Sequence, residues 1–193
     1  MSVVSAEGPP ITIRDSTELD VPAMVEIYSY HVQHGLGAFE LEPLHPEDVK
    51  RRRKDMRKHR LPHLVAECGS KIVGFAYAVR FRQRPAYRYT VENSIYVHPD
   101  YLHVGVGRLL LPALIERCTN AGFRQMIAVI DSANIPSLKL HESFGFTTGG
   151  VLLSVGFKFG RWTDSALMQR ALGLGHRAPP SDHLGAVIPP GES

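Results

Sequence analysis

Apolar and polar residues alternate along the chain in patterns typical of both helices and strands. Helical patterns cover four segments: Val21 to about Gly35, Pro46–Lys58, about Gly105–Ala121 and Ile135–Phe144. Strand-like apolar runs occur at Ile11–Asp15, His63–Cys68, Lys71–Phe81, Tyr87–Val97, Gln125–Asp131, about Thr147–Val155 and about Trp162–Arg170. Helices and strands therefore alternate, with a strand hairpin towards each end of the chain. This order predicts one α/β domain with a mixed β-sheet.

Local residues mark several of the boundaries between these elements. Asp20 precedes the first helix and Pro22 lies in its first turn, so Asp20 is predicted to cap that helix. Gly69-Ser70 separates two strand-like runs and indicates a compact hairpin. Gly145 is predicted to end the fourth helix, because glycine readily adopts the left-handed conformation found there.

The two ends of the chain differ in composition from the rest. Residues 1–10 are small and polar and finish with Pro9-Pro10, and residues 173–193 are rich in Gly and Pro without an apolar period. Both segments are predicted to be disordered or flexible. The folded domain is therefore predicted to span residues 11–172, with no repeat and no second domain.

Composition narrows the class of protein. Of 193 residues, 44% are hydrophobic and 21% are charged, which excludes wholesale disorder and a fibrous repeat. No apolar run approaches the roughly 20 residues that cross a bilayer, and the first residues lack the features of a signal peptide. Two cysteines, Cys68 and Cys118, cannot form a disulfide scaffold or a four-thiolate metal site. We expect a cytoplasmic protein that needs no metal and no membrane.

Positive charge is concentrated rather than abundant. The formal net charge is only +3, from 22 Lys and Arg against 19 Asp and Glu, so the total does not indicate a nucleic-acid partner. The predicted helix 46–58 carries six cations within residues 51–58. Aromatic residues do not interleave with them, and no recognised nucleic-acid fold accompanies them. This helix is interpreted as a solvated surface, with a basic partner-binding face as the alternative.

A glycine-containing turn at the start of the third helix is the first candidate site. The preceding strand ends near Val97, and Gly105 and Gly107 then open the helix, with Arg108 beside them. Backbone N–H groups at a helix start attract phosphate, and glycine lets a ligand approach the backbone. The Rossmann and P-loop fingerprints are excluded, because Leu110 replaces a required Gly and no Gly-Lys-Ser/Thr follows a strand. A glycine turn without a ligand remains the alternative.

A second motif, NIPSLKLHESFGF, lies 27 residues after Gly107 and begins at Asn134. Asn134 is positioned to cap the short helix, and His141 lies two helical turns later on the same side. Each residue taken alone has a simpler explanation, namely plain capping for Asn134 and an inert helix-face histidine for His141.

Together, the two motifs resemble the GNAT superfamily of N-acetyltransferases over nearly the whole body, about residues 11–170. The resemblance implies a GNAT fold: a mixed central sheet flanked by helices, with a splayed cleft for acetyl-CoA. The phosphate loop would be formed by His103, Val104, Gly105, Val106, Gly107 and Arg108, with Asn134 also near the cofactor. Leu102 departs from the Gln or Arg usual in this family, which is expected to matter little where backbone amides bind the phosphates.

Four segments narrow the resemblance to the phosphinothricin and methionine sulfoximine N-acetyltransferase branch. They are GAFELEPL, TVENSIYV, LHESFGF and VGFKFGRWTDSALMQ. The resemblance implies that acetyl-CoA donates an acetyl group to the α-amino group of a small amino acid such as phosphinothricin, methionine sulfone or methionine sulfoximine. It also implies a homodimer, with GFKFGRW near the interface.

The same resemblance assigns roles to individual residues. Glu92 would be the general base, with a water relay or a raised pKa to help it. The backbone of Ile95, Tyr96 and Val97 would pair with the pantetheine arm, and an N–H near Tyr96–Val97 would bind the thioester oxygen. His141 would assist in deprotonating the amine or in protonating the leaving thiolate.

The acceptor is expected to meet a second group of residues. By resemblance, Arg82, Gln83 and Arg84 would bind its carboxylate or phosphinate, since an arginine fork suits a two-oxygen anion, and Phe39 would wall the pocket. Two other functions stay open. One is transfer to a different amine, such as a polyamine, an aminoglycoside or a protein N-terminus. The other is a non-catalytic acyl-CoA sensor.

Overall fold

A computed structural model describes residues 9–180. The predicted disordered ends fall mainly on residues 1–8 and 181–193, which lie outside the described residues. Residues 173–180 include a short 3-10 turn at Gly175–Arg177, in which Gly175 is buried. The proposed limits of the domain stay predictions.

Residues 9–180 contain four α-helices and seven strands. The helices are α1 (Val21–His34), α2 (Pro46–Lys58), α3 (Val106–Asn120) and α4 (Ile135–Ser143). The strands are β1 (Ile11–Asp15), β2 (His63–Cys68), β3 (Lys71–Arg80), β4 (Thr90–Val97), β5 (Gln125–Asp131), β6 (Thr147–Lys158) and β7 (Arg161–Ala171). Within residues 9–180, none of the helices combines the length and the apolar character that a membrane span requires.

All seven strands form one mixed sheet in the order β1-β2-β3-β4-β5-β7-β6. Only β4 and β5 run parallel, and every other pair of neighbours is antiparallel. The parallel pair is joined by the crossover helix α3, as a parallel connection requires. The predicted mixed α/β sheet is confirmed.

Helices cover both faces of the sheet and bury two hydrophobic clusters. On one face, α3 packs its fully buried Leu110, Leu111 and Leu114 against the central strands. Each such side chain stabilises the fold by roughly 2 kcal/mol. On the other face, α1 packs Met24 and Ile27 against aromatic residues of β3 and β4. The central strands are therefore held rigidly from both sides.

Most predicted boundaries are correct to within one or two residues, and three details differ. β4 begins at Thr90 rather than at Tyr87, because Pro85–Tyr87 form a 3-10 turn. β6 and β7 are longer than predicted and meet in a tight turn with positive φ at Phe159 and Gly160. The carboxylate of Asp20 makes no capping bond to α1, because it accepts hydrogen bonds from Arg14 and from the backbone N–H of Thr17.

Both cysteines are free thiols, and Cys118 is buried. Within residues 9–180, no group of three or more His, Cys, Asp or Glu side chains is placed to share a metal ion. The cytoplasmic location and the independence from metal stay predictions.

Candidate active-site cleft

A cleft opens where the two parallel strands separate. β4 and β5 pair only over three positions, and the last pair is Glu92 with Ile127. Beyond it β4 continues to Val97 and β5 to Asp131 without facing each other. The space between them belongs to a cavity of about 690 Å³, which α3 and α4 also line. The sheet therefore contains an opening at its centre.

One edge of β4 in this opening has unpaired backbone groups. The N–H of His98 donates to Val73 of β3, so by strand alternation Ile95 and Val97 direct their own N–H and C=O groups away from β3. Those groups face the opening, whereas the backbone of Tyr96 faces β3. His31 donates from Nε2 to the Val97 carbonyl at 2.7 Å, leaving the Val97 N–H and both Ile95 groups for a ligand.

The start of α3 forms the second wall. Gly105 is the N-cap residue with φ +97°, a left-handed conformation that favours glycine, and it aims the first amides of α3 at the cavity. The N–H of Arg108 is already used, since it donates to the Gly105 carbonyl at 3.0 Å. The free amides of the turn and the positive helix end are chemically suited to an anion.

Gly107 has a different reason to be glycine from the one that the sequence suggests. A Cβ at this position would lie 3.0 Å from a methyl carbon of Leu140 on α4. Its absence lets α3 and α4 pack closely, so Gly107 has a packing role besides any role in admitting a ligand. Arg108 is exposed at the rim, where its guanidinium lies over the ring of Phe144.

Glu92 lies at the apex of the opening, on the last residue pair before β4 and β5 separate. Its side chain is half-buried, and within residues 9–180 no group donates a hydrogen bond to its carboxylate. Burial raises the pKa of Glu92 above its ordinary value. A carboxylate with a raised pKa binds protons more readily and is a better base than a solvated one.

His141 is buried and has both ring nitrogens engaged. Its Nδ1 lies 2.8 Å from the carbonyl of Ser137 and must donate there, so Nε2 accepts from the Asn93 amide at 2.9 Å. Burial lowers the pKa of His141, which keeps the ring neutral. The pair joins β4 to α4 across the floor of the cleft. Neither ring nitrogen is free to accept or release a proton in this arrangement.

Asn134 and Phe39 approach the cleft from opposite sides. The Asn134 side chain caps α4 by accepting from the N–H of Ser137 at 3.3 Å, which confirms the capping prediction. Phe39 follows α1 in a loop that the ammonium of Lys158 holds, at 2.6 Å from the Ala38 carbonyl and 3.2 Å from that of Gly35. The β6–β7 hairpin therefore supports the loop that carries Phe39.

Most predicted site residues line this one cavity, and four do not. The cavity is lined by Phe39, Glu92, Ile95, Tyr96, Val97, His103, Gly105, Val106, Gly107, Arg108, Asn134 and His141. Val104 is exposed outside it. Arg82, Gln83 and Arg84 are also exposed outside it, and the Arg82 guanidinium lies over the rings of Phe81 and Tyr87. Their roles at the substrate stay predictions.

Two residues of the cleft were missed by sequence reasoning. Asn93 orients His141 and keeps an unpartnered, buried Oδ1, and His31 fixes the Val97 carbonyl. Asn93 lies inside the TVENSIYV segment, where alternation with Glu92 shows that it faces the other side of the sheet. Nothing in the sequence near His31 indicates its contact 66 residues away.

Known proteins resemble the chain over most of its length. The profile of the acetyltransferase (GNAT) family matches residues 27–146. A phosphinothricin N-acetyltransferase from Alcaligenes faecalis is 46% identical over 170 residues, which cover 88% of this chain and 86% of that protein. An L-methionine sulfoximine/L-methionine sulfone acetyltransferase from Salmonella typhimurium is 36% identical over 169 residues, covering 88% and 98% of the two chains.

A solved structure also resembles this fold closely. It is a GNAT superfamily phosphinothricin acetyltransferase from Sinorhizobium meliloti in complex with AcCoA, with a TM-score of 0.87 and 40% sequence identity. The alignment covers 93% of this chain and 96% of that one.

Proposed function

The chain belongs to the GNAT acetyltransferase family and is an N-acetyltransferase that uses acetyl-CoA, and on that premise we propose the identity of its acceptor. The acceptor is the α-amino group of a small amino acid of the kind represented by phosphinothricin, methionine sulfone and methionine sulfoximine. The names of the relatives from Alcaligenes faecalis and Salmonella typhimurium support this substrate class.

One observation carries the catalytic proposal: the half-buried carboxylate of Glu92 lies where β4 and β5 separate. The open edge of β4 can hydrogen-bond the pantetheine arm of acetyl-CoA as an added strand would. The helix start at Gly105 is suited to its pyrophosphate. Bound acetyl-CoA supplies the acetyl group as a thioester. Glu92 accepts the proton that the acceptor ammonium must lose, either directly or through water.

Backbone and helix groups hold the reacting atoms in place. The Val97 N–H points into the opening and is a suitable donor to an acyl oxygen. His141, neutral and bonded on both nitrogens, acts as a positioning residue that joins β4 to α4 and is not the proton carrier. Asn93 and His31 complete this fixed frame.

A substrate panel tests the proposed function. Purified protein is assayed for release of the CoA thiol from acetyl-CoA with phosphinothricin, methionine sulfone, methionine sulfoximine, spermine and an aminoglycoside. We expect turnover with the amino acids and much less with the two polycations, because the proposed acceptor segment, residues 80–88, carries four arginines and no carboxylate. Preference for a polycation would overturn the substrate class, and no thiol release with any amine would favour a sensor.

Arg82→Ala is expected to raise KM for the amino acid about tenfold while leaving kcat and the KM of acetyl-CoA little changed. The segment 81–89 leaves β3 next to the strand position of Glu92, since Glu92 pairs with Val79. An arginine there is suited to the acceptor carboxylate. Steady-state kinetics with both substrates measures the effect, with Arg51→Ala, which does not line the cleft, as the control. An unchanged KM would remove Arg82 from the acceptor site.

We further propose that the protein is a homodimer formed through β6. β6 is an edge strand, and it exposes Val151, Leu152, Leu153, Val155 and Phe157. Trp162, at the adjoining turn, is 65% exposed. An unpaired strand edge with this many apolar side chains is typical of a surface that is covered in solution.

Leu153→Lys is expected to convert the dimer into a monomer. Leu153 is 72% exposed at the centre of this surface, and a lysine there would place a charge in the interface. Light scattering after size-exclusion chromatography measures the mass, which should fall from twice 21.4 kDa to 21.4 kDa. Leu19→Lys, at a leucine 91% exposed far from β6, should leave the mass unchanged. A monomeric unmodified protein would contradict the proposal.

A further inference from the structure

A second cavity lies away from the proposed chemistry, beside the C-terminal end of α3. It has a volume of about 620 Å³, close to that of the active-site cleft, and shares no lining residue with it. The end of β1, the last turn of α2, the start of β2 and the side of α3 enclose it. The proposed acetyl transfer gives this cavity no role.

Arginines dominate the lining of this second cavity. Arg53, Arg57, Arg60 and Arg117 line it, against the two carboxylates of Asp15 and Glu18. Arg117 is paired with Asp15 at 3.2 Å. Across residues 9–180, no carboxylate lies within ion-pair distance of the other three guanidinium groups. The cavity therefore has an excess of positive charge.

Arg53 is the most unusual of the four, because it is only 3% exposed. Its guanidinium donates to the hydroxyl of Ser16 at 2.7 Å and to the backbone carbonyl of Ser16, both neutral groups. Burial and the nearby charge of Arg57 lower the pKa of Arg53. The carboxylates of Glu18 and Asp20 partly offset this effect, but within residues 9–180 neither forms an ion pair with Arg53, so a buried guanidinium bonded to neutral groups favours an anion that enters the cavity.

His63 adds an independent sign of a missing ligand. It lines the same cavity, is 7% exposed, and its Nδ1 has no hydrogen-bond partner. Its ring is fixed by stacking on Tyr77, with the centroids 5.4 Å apart. Buried polar atoms in native proteins nearly always have partners, and in the tautomer that carries its proton on Nδ1 the His63 ring is a donor suited to an oxyanion held by these guanidinium groups.

We propose that this cavity binds a small oxyanion, through guanidinium groups of α2 and the following turn and through His63. Phosphate and carboxylate groups share the required chemistry, namely two or three acceptor oxygens for forked arginine donors. The basic helix 46–58 is then more than a solvated surface, since one of its faces builds a binding site. The inference stands independently of the acceptor proposed above.

Calorimetric titration of the full-length protein saturated with acetyl-CoA tests the proposal. Acetyl-CoA then occupies the proposed phosphate loop of the cleft, so an added anion cannot bind there. Inorganic phosphate and succinate are titrated in separate arms, which distinguishes phosphate from carboxylate recognition. Arg57→Gln and Arg60→Gln remove exposed guanidinium groups of the cavity without touching the buried Arg53. Arg51→Gln is the matched control, because Arg51 lies on the same helix, pairs with Asp48 and does not line the cavity.

We expect saturable binding of at least one anion, weakened roughly tenfold or more by Arg57→Gln and by Arg60→Gln and unchanged by Arg51→Gln. The NMR signals of the His63 ring should shift as the anion is added, and the shift should saturate at the same anion concentration as the calorimetric signal. All three variants should keep the acetyl-CoA KM of the unmodified protein. The proposal fails if neither anion binds saturably, if the cavity variants bind like the control, or if binding requires an empty cleft.

Discussion

Glu92→Gln is expected to lower kcat/KM for the amino-acid acceptor roughly a hundredfold or more, with little change in the KM of acetyl-CoA. Gln keeps the shape of the side chain but cannot accept a proton at neutral pH. No described residue donates a hydrogen bond to the carboxylate, so the exchange breaks no contact within residues 9–180. The loss should therefore appear in turnover and not in the unfolding free energy, and both are measured.

The pH profile gives the same experiment a second readout. The active form of Glu92 is the carboxylate, and burial raises its pKa. In the unmodified enzyme, kcat/KM should fall as the pH drops through that raised pKa, and it should level off above it. In Glu92→Gln this acidic limb should disappear, because no group titrates there in the catalytic step.

The alternative base, His141, makes the opposite prediction. A histidine base would keep its acidic limb in Glu92→Gln, near the ordinary pKa of imidazole or below it. The observed contacts argue against that outcome, since Ser137 and Asn93 occupy both ring nitrogens. Full activity of Glu92→Gln at neutral pH would show that Glu92 is not the base.

Local sequence predicted the parts of the site that depend on local geometry. Gly105 at the start of α3 and Asn134 at the start of α4 occupy helix termini, where a few neighbouring residues determine the backbone and the hydrogen bonds. Both predictions concern groups within four residues of each other. The alternation of strands and helices likewise predicted the mixed sheet, but it did not reveal that β4 and β5 are the parallel pair at which the sheet opens.

The parts that were missed depend on contacts between distant segments. His31 reaches the Val97 carbonyl 66 residues away, and Asn93 meets His141 across 48 residues. For this reason we propose a positioning role for His141, because its ring tautomer is set by partners that helix spacing does not reveal. Arg53 was interpreted as one solvated cation among six, and only the packing of α2 against Ser16 shows that it is buried.

Gly74 on β3 is a further residue whose importance only packing reveals. A Cβ built at this position would lie 2.9 Å from a methyl carbon of Val106 and 3.0 Å from the carbonyl oxygen of Tyr96. It would also lie 3.1 Å from a methyl carbon of Leu110. Val106 begins α3, so the close approach at Gly74 limits how near the start of that helix lies to the open edge of β4.

Gly74→Ala is expected to lower the free energy of unfolding by about 1–3 kcal/mol, which corresponds to a fall in Tm of roughly 2–12 °C. Alanine in a strand gains about 0.5–1 kcal/mol over glycine, but the Tyr96 carbonyl is backbone and cannot move aside, so the clash decides the sign. Urea denaturation at a fixed protein concentration measures the change, since the proposed dimer makes stability depend on concentration.

Gly150→Ala is the control, and both variants carry Leu153→Lys because Gly150 lies on β6. A Cβ at Gly150 meets no atom within 4 Å of the same chain, so the change should stay within about 0.5 kcal/mol. If α3 yields to the new methyl group, the helix start moves away from β4, and the KM of acetyl-CoA rises together with the loss of stability. Equal stability of the two variants would mean that α3 does not rest on Gly74. The width of the cleft would then have to be set at the other close contact, between Gly107 and Leu140.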